Sequence, residues 1–257
     1  MTPQNRIKTA QRELLEAQKE LKVVLEKTKT RARAPAVRML HEVRRMLHPA
    51  YPYASQAGQD QIIDRIMKGK RGGTFIDVGA YDGVNGSNTL FLEKWRDWSG
   101  VLVEPVEEQR NRAAIARSAS CLPYAVAASD GEAEFMTITQ GYTQMSGLLG
   151  TYDAKLLKQV RADKRHKETT SNVETKTLSG VLEEVQIEHP DFISLDIEGG
   201  ELSVLEDFPF DKHKVGAWAI ENNTGTPKLG QLMLAKGYKV VEFCGPDEVF
   251  AHESILT

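Results

Sequence analysis

The sequence predicts an α/β protein: a mostly parallel seven-stranded sheet with helices on both faces, a C-terminal antiparallel hairpin and an N-terminal helical extension. Three observations predict it. From residue 59 onward short apolar runs alternate with amphipathic stretches, which is the pattern of successive βα units. The first apolar run leads into a turn carrying Gly79 and Gly83. Acidic residues, Asp77, Glu104, Asp196 and Glu221, stand where four such runs end, at the sheet edge where open parallel sheets bind ligands.

Residues 5–30 are expected to form one helix. Ile7, Ala10, Leu14, Ala17, Leu21 and Val24 recur at spacings of three and four, with Glu13, Glu16, Lys19, Glu20, Lys22 and Lys27 off that line. Such an a/d seam buries itself in a second chain, giving a homo-oligomer, or lies along its own body. The basic stretch from Lys27 to Arg45 also suits an anionic membrane surface, although its apolar face is thin. Pro35 is expected to break this helix, and a second short one carries Val37, Leu40 and Leu47. The stretch from His48 to Pro52 is a linker. The expected division is a helical, coiled-coil-like basic extension over residues 1–50 and one α/β domain over 51–257.

Within that domain the spacing predicts a helix over 59–68, with Ile62, Ile63 and Ile66 on one face, and a strand over 74–78. A helix over 87–95, a strand over 101–104, a helix over 107–117 and a strand over 122–127 follow. The turn Ser129-Asp130-Gly131-Glu132 leads into an extra strand over 133–139, then a polar insert over 141–172. Next come a helix over 178–185, a strand over 192–196, a helix over 201–206, a strand over 215–221 and a helix over 228–236. Strands over 238–243 and 248–252, joined by Gly245-Pro246-Asp247, have a hairpin's spacing.

Composition sets limits on function. Hydrophobic residues make up 40% and charged residues 27% of the 257, ordinary values for a globular chain. No apolar run approaches the ~18 residues of a membrane span, and the charged N-terminus does not read as a secretory signal. Cys121 and Cys244 fall in expected strands without ligand-type spacing, so neither a disulfide framework nor a zinc site is expected, and a reducing cytoplasm is the expected compartment. Residues 1–48 hold 12 Lys/Arg and 5 Asp/Glu, whereas the rest holds 21 and 31. An acidic body of that kind argues against nucleic acid as a partner.

The strand ends carry the chemistry. Asp77-Val78-Gly79-Ala80-Tyr81-Asp82-Gly83 bends sharply from strand to helix with GxxxG spacing, not the GxGxxG of dinucleotide sites. An acid there suits a ligand with an ammonium group better than a pyrophosphate. Glu104, followed by Pro105, ends the second strand, where a carboxylate accepts hydrogen bonds from both ribose hydroxyls.

FIDVGAYDG (75–83), VEP (103–105), AVAASDGEAEF (125–135) and FISLDIEGGELSVL (192–205) together resemble the FkbM family of class I methyltransferases. SQAGQD (55–60) is similar to a segment often found before the first strand of that family. The resemblance covers roughly residues 53–252; DIEGGE is its most specific motif, and the first is shared by all class I methyltransferases. It implies a Rossmann-like fold, S-adenosylmethionine as donor, and O-methylation, often of sugar hydroxyls in glycans or natural products. By position it implies that Asp77, Gly79 and Gly83 line the methionine part of the donor, with Gln56 and Asp82 beside them. It implies Glu104 at the ribose and Ser129 and Asp130 near the adenine. The N-terminal extension lies outside the family pattern.

A sugar hydroxyl is a poor nucleophile at neutral pH and needs a base or a metal. In one arrangement Asp196, Glu221 and Asn222 bind Mg²⁺ or Mn²⁺, a layout similar to the Asp/Asp-Asn site of catechol-type O-methyltransferases with Glu in place of one Asp. In the other, Asp196 or Glu198 is the general base without a metal, and Glu201 caps a helix. His252 ends an antiparallel strand and is expected to be structural. Tyr142, Gln144, Met145 and Ser146 in the insert are candidates for acceptor contact, and the basic run from Lys155 to Lys167 is a solvated face or a site for an anionic acceptor. Two alternatives stay open: an NAD(P)-dependent oxidoreductase sharing the sheet and the ribose acid, and a non-catalytic assembly protein working through the N-terminal helix.

Overall fold

A computed structural model describes residues 1–256. Its main sheet has seven strands: β1 (Thr74–Val78), β2 (Ser99–Val103), β3 (Ser120–Leu122), β8 (Phe192–Leu195), β9 (Ala217–Glu221), β10 (Tyr238–Cys244) and β11 (Asp247–His252). They lie in the order β3-β2-β1-β8-β9-β11-β10, parallel throughout except β11, which runs antiparallel between β9 and β10. The chain order reverses at β1, so a crevice opens between the loops that leave β1 and β8.

Period-two alternation divides the core into two layers. Ile76, Val78, Val103, Ile193, Leu195, Trp218 and Ile220 point to one face, where α7 (Leu178–Glu184), α8 (Glu201–Glu206) and α9 (Pro227–Ala235) cover them. Phe75, Leu102, Phe192, Ala217, Ala219 and Val249 point to the other. They meet α2 (Ala34–Leu47), α3 (Gln59–Ile66), α4 (Leu90–Arg96) and α5 (Glu107–Ala116).

A second sheet, in the order β4-β7-β5-β6, comprises β4 (Ala125–Val126), β5 (Gly131–Gln140), β6 (Gly147–Leu148) and β7 (Lys167–Lys176). It corrects two expectations. The third strand is split, and its second half, β4, leaves the main sheet to pair with β7. The extra strand and the end of the polar insert pair along their length, Gly131 against Thr175 through Gln140 against Lys167. The insert also carries α6 (Ala154–Arg161), which buries Val160 against Met136, Ile138 and Tyr152.

The extension begins with α1 (Pro3–Lys27), capped by the Thr2 hydroxyl, which accepts from the Asn5 amide. The helix ends before Pro35 is reached, because Thr28 is extended. Pro35 instead sits in the first turn of α2, where its missing N–H costs nothing. α2 buries Ala36, Val37, Leu40 and Val43, whereas no α1 residue is buried. α1 folds back on α2 so that Ala17, Leu21, Val24, Met39, Val43 and Met46 share one groove. Among the described residues no helix is long and apolar enough to cross a membrane.

Candidate active site

Strand register brings the acidic residues together. Asp77 lies opposite both Leu102 and Ser194, and Ser194 opposite Ala219. Continuing each alternation by two residues puts Glu104, Asp196 and Glu221 on that same face, and Asp247 is paired directly with Glu221. The apolar layer beneath therefore ends in a rim of carboxylates at the carboxyl edge of the sheet.

The bend after β1 fits only glycine at its first position. Gly79 has φ +76°, and a Cβ there would lie 1.8 Å from the Asp196 carbonyl oxygen. The loop then passes Tyr81 (φ +50°), whose amide donates to Glu104 Oε2 at 3.0 Å, while the Val106 amide donates to Oε1 at 2.8 Å. Burial pushes the Glu104 carboxyl up to about 7, against the pull of those two N–H groups. Asp77 is also buried, and burial raises its pKa despite hydrogen bonds from Thr89 (2.6 Å) and Ser87 (3.2 Å). The buried Arg117 guanidinium braces this loop, donating to the Gly83 carbonyl at 2.8 Å and pairing with Glu93.

Beyond β8 and β9, carboxylate oxygens of Asp196, Glu198 and Glu221 lie within 4.8 Å of one another. Glu198 adopts φ +64°, and its Oε2 is buried without a hydrogen-bond partner. The Asn223 amide donates to Glu221 Oε2 at 2.6 Å, and Gln59 donates to Asp247 at 2.8 Å. All three cluster carboxyls titrate above their ordinary range, first because burial strips their water and then because of neighbouring negative charge, from Asp247 and Glu201 on Asp196 and from Asp196 on Glu198 and Glu221. Glu201 stands apart: its Oε1 accepts the Ile197 and Gly199 amides and shapes the turn that presents Glu198.

Three adjoining cavities share Gly79 and Asp196. The largest, about 210 Å³, is lined by Asp77, Asp196, Glu198, Glu221 and Asp247 together with Gln56, Gln144 and Met145. A second is mostly apolar, with Pro105, Tyr124, Ala125, Val126, Phe135 and Leu148. The third joins them, walled by Glu104 and Gln109.

Of the residues singled out in the sequence, Gln56, Asp77, Gly79, Glu104, Asp196, Glu198 and Glu221 line these cavities. Five of the donor and metal candidates do not face them. The Asp82 carboxylate turns back on its own loop, accepting the Val84 and Asn85 amides. Asn222 points away, donating to the Thr226 carbonyl and Glu248, because it follows Glu221 by one residue and takes the opposite side; Asn223 is the amide that lines the cavity. Ser129 and Asp130 are held to β7 and the start of α7, through Thr175 and the Thr177 amide, because β4 has left the main sheet. Gly83 packs against Ala113 and Arg117 instead of lining a cavity. His252 bonds Ser254 at the opposite end of β11 from Asp247. No residue of the basic run 155–167 lines the three cavities; Arg161 pairs with Glu168 and Arg165 with Asp163. Sequence reasoning missed Asp247, Gln59, Asn223, Gln109 and Tyr124. Only Asp247 carried a signal, as an acid at a hairpin tip.

The methyltransferase FkbM domain model matches residues 77–240. No curated protein sequence matches the chain. Three solved structures are similar to it at low identity. The precorrin-6y C5,15-methyltransferase of Geobacter metallireducens is 10% identical, with a TM-score of 0.43 over 78% of this chain and 90% of that one. A TehB-like SAM-dependent methyltransferase of Corynebacterium glutamicum is 12% identical, with a TM-score of 0.38 over 82% and 95%. Methyltransferase FkbM of Methylobacillus flagellatus is 11% identical, with a TM-score of 0.42 over 92% of this chain and 58% of that one. The strand order and the span of the family match, well over half of the chain, lead to one conclusion: this protein belongs to the FkbM family of S-adenosylmethionine-dependent methyltransferases.

Proposed function

We propose that the protein methylates a hydroxyl oxygen, that of a sugar in a glycan or natural product, at the Asp196–Glu198–Glu221 cluster, with Mg²⁺ or Mn²⁺ held by those three carboxylates. The observation that carries this reading is that the cluster and the two smaller chambers meet at Gly79 and Asp196. The donor's adenine fits the apolar chamber, and its ribose fits Glu104. The buried Gln109 Oε1, which has no partner, is a further acceptor beside Glu104 in the third chamber. Asp77, Gln56 and the Gly79 bend then border the methionine part.

When bound, S-adenosylmethionine supplies an electrophilic methyl. The chain's own residues must align the hydroxyl behind it, keep water out and take a proton. Without a cation, Asp196 or Glu198 is the group to accept that proton, since a raised pKa makes it a stronger base than an exposed carboxylate. Hard oxygen donors suit Mg²⁺ or Mn²⁺, and the unpartnered Glu198 Oε2 is a ligand atom in waiting. A cation held by these carboxylates would supply Lewis-acid activation of the acceptor hydroxyl. We read residues 51–257 as the catalytic domain and 1–50 as an extension through which copies associate.

Three measurements test the reading. S-adenosylhomocysteine is expected to raise the melting temperature and NADH to leave it unchanged; stabilisation by NADH alone would sink the donor assignment. Labelled donor with a panel of sugars and nucleotide sugars is expected to give an O-methyl carbon signal, and an N-methyl product rejects the hydroxyl. Turnover is expected to stop in EDTA and return with Mg²⁺ or Mn²⁺. Full activity in chelator leaves the base without a metal.

A further inference from the structure

Residues 31–47 lie outside the family match, yet they reach the site. The two loops that carry its far wall are the exit of β9, with Glu221 and Asn223, and the hairpin tip, with Pro246 and Asp247. Alternation turns Glu221 and Asp247 toward the cavity and Asn222 and Glu248 away from it. Arg31 is on that outer side. One of its guanidinium nitrogens, Nη2, donates to the Asn222 carbonyl and the Pro246 carbonyl, each at 2.7 Å, and Nη1 donates to the Glu248 carboxylate. Glu248 accepts in turn from Asn222 Nδ2 at 2.8 Å, and the Asn222 amide bonds the Pro246 carbonyl at 3.2 Å. The same segment is docked by Arg33 on Glu242 at 2.8 Å and puts Arg38 in the cavity wall.

We propose that Arg31 is a positioning residue for the acceptor side of the site, fixing Glu221 and Asp247 from behind through the peptides that carry their neighbours. The donor side does not depend on it, because Gly79 and Glu104 are held by β1, β2 and α5. A planar fork of donors serves three acceptors at once, which a lysine ammonium does not reproduce. The inference rests on the reading of the carboxylate cluster given above, and its test separates the two.

The test compares the full chain with Arg31→Ala and Arg31→Lys. Hydrogen exchange at residues 222–225 and 245–248 is expected to quicken at least tenfold in Arg31→Ala and less in Arg31→Lys, with β1 and β2 amides unchanged. Affinity for S-adenosylhomocysteine is expected to stay within twofold. Affinity for Mn²⁺ and the turnover number are expected to fall at least tenfold, with the donor KM preserved. Unchanged exchange in both loops, or loosened loops with unaltered Mn²⁺ affinity and turnover, overturns the role of Arg31. If the wild-type protein binds no Mn²⁺, the cation reading fails, and the exchange and turnover comparisons decide on Arg31. If Arg31→Ala does not fold, Arg31→Lys carries the same comparison.

Discussion

Burying Glu104 costs the folded chain stability once its carboxyl ionises. Its pKa moves from 4.5 to about 7 on folding, so the folded chain keeps its proton more tightly than the unfolded one. Below 4.5 both states are protonated and nothing is lost. As pH rises from 4.5 to about 7 the unfolded state ionises first, and stability falls, reaching a penalty of about 3 kcal/mol above that range. Glu104→Gln removes the ionisation but leaves one of the Tyr81 and Val106 amides without an oxygen, a cost of ~1–2 kcal/mol. The variant is therefore expected to be about 1–2 kcal/mol more stable than wild type at pH 8 and less stable at pH 4, with weaker donor binding at both. Urea midpoints across pH measure it; two parallel curves would refute the buried-carboxylate account. Glu104 was legible in the sequence because one acid ends one apolar run. Asn222 misled because Glu221-Asn222-Asn223 offers two amides, and which one faces the cavity depends on where β9 stops alternating.

At the scale of elements, the six residues of α8 depend on a turn that breaks two local rules. Glu198 has φ +64° without being glycine, and the turn's amides at Ile197 and Gly199 lie before the helix that would satisfy them. Glu201 Oε1 accepts both, at 2.9 and 3.1 Å, from a buried position. Glu201→Ala strands two donors, so a loss of ~2–4 kcal/mol is expected together with loss of methyl transfer. Glu201→Gln keeps an acceptor oxygen and is expected to recover most of both; thermal melts and turnover on the pair check it. Equal turnover loss in the two variants, with Gln fully stable, would instead make Glu201 a chemical participant. The apolar run that exposed DIEGGE as a strand-to-helix junction has no counterpart in β7. There the side chains from Lys167 to Asn172 are charged or polar and mostly exposed, so no period-two apolar signal marks the strand. The second sheet was illegible for that reason, and with it the departure of β4 that carries Ser129 and Asp130 away from the cavities.

For the molecule as a whole, the charge asymmetry divides along a physical line. The basic segment around Arg31 and Arg33 is pinned to Glu248 and Glu242 on the acidic body, whereas α1 is pinned by little more than its contact with α2. Residues 1–13 are exposed throughout, and Ile7 keeps 61% of its surface. Their apolar side chains gain nothing from burial in a single copy, so their removal costs the monomer almost no hydrophobic stabilisation. A second copy changes that balance. The groove between α1 and α2 is apolar at Leu21, Val24, Met39 and Met46 and is edged by Glu20 and Glu42, whereas the overhanging turns carry Arg6, Lys8 and Arg12 beside Ile7 and Ala10. Deleting residues 1–13 is therefore expected to lower the mass in solution by light scattering, with the melting temperature at high dilution and the affinity for S-adenosylhomocysteine unchanged. An unaltered mass would show that the overhang is solvated in the working protein, and association would then have to be sought on another face.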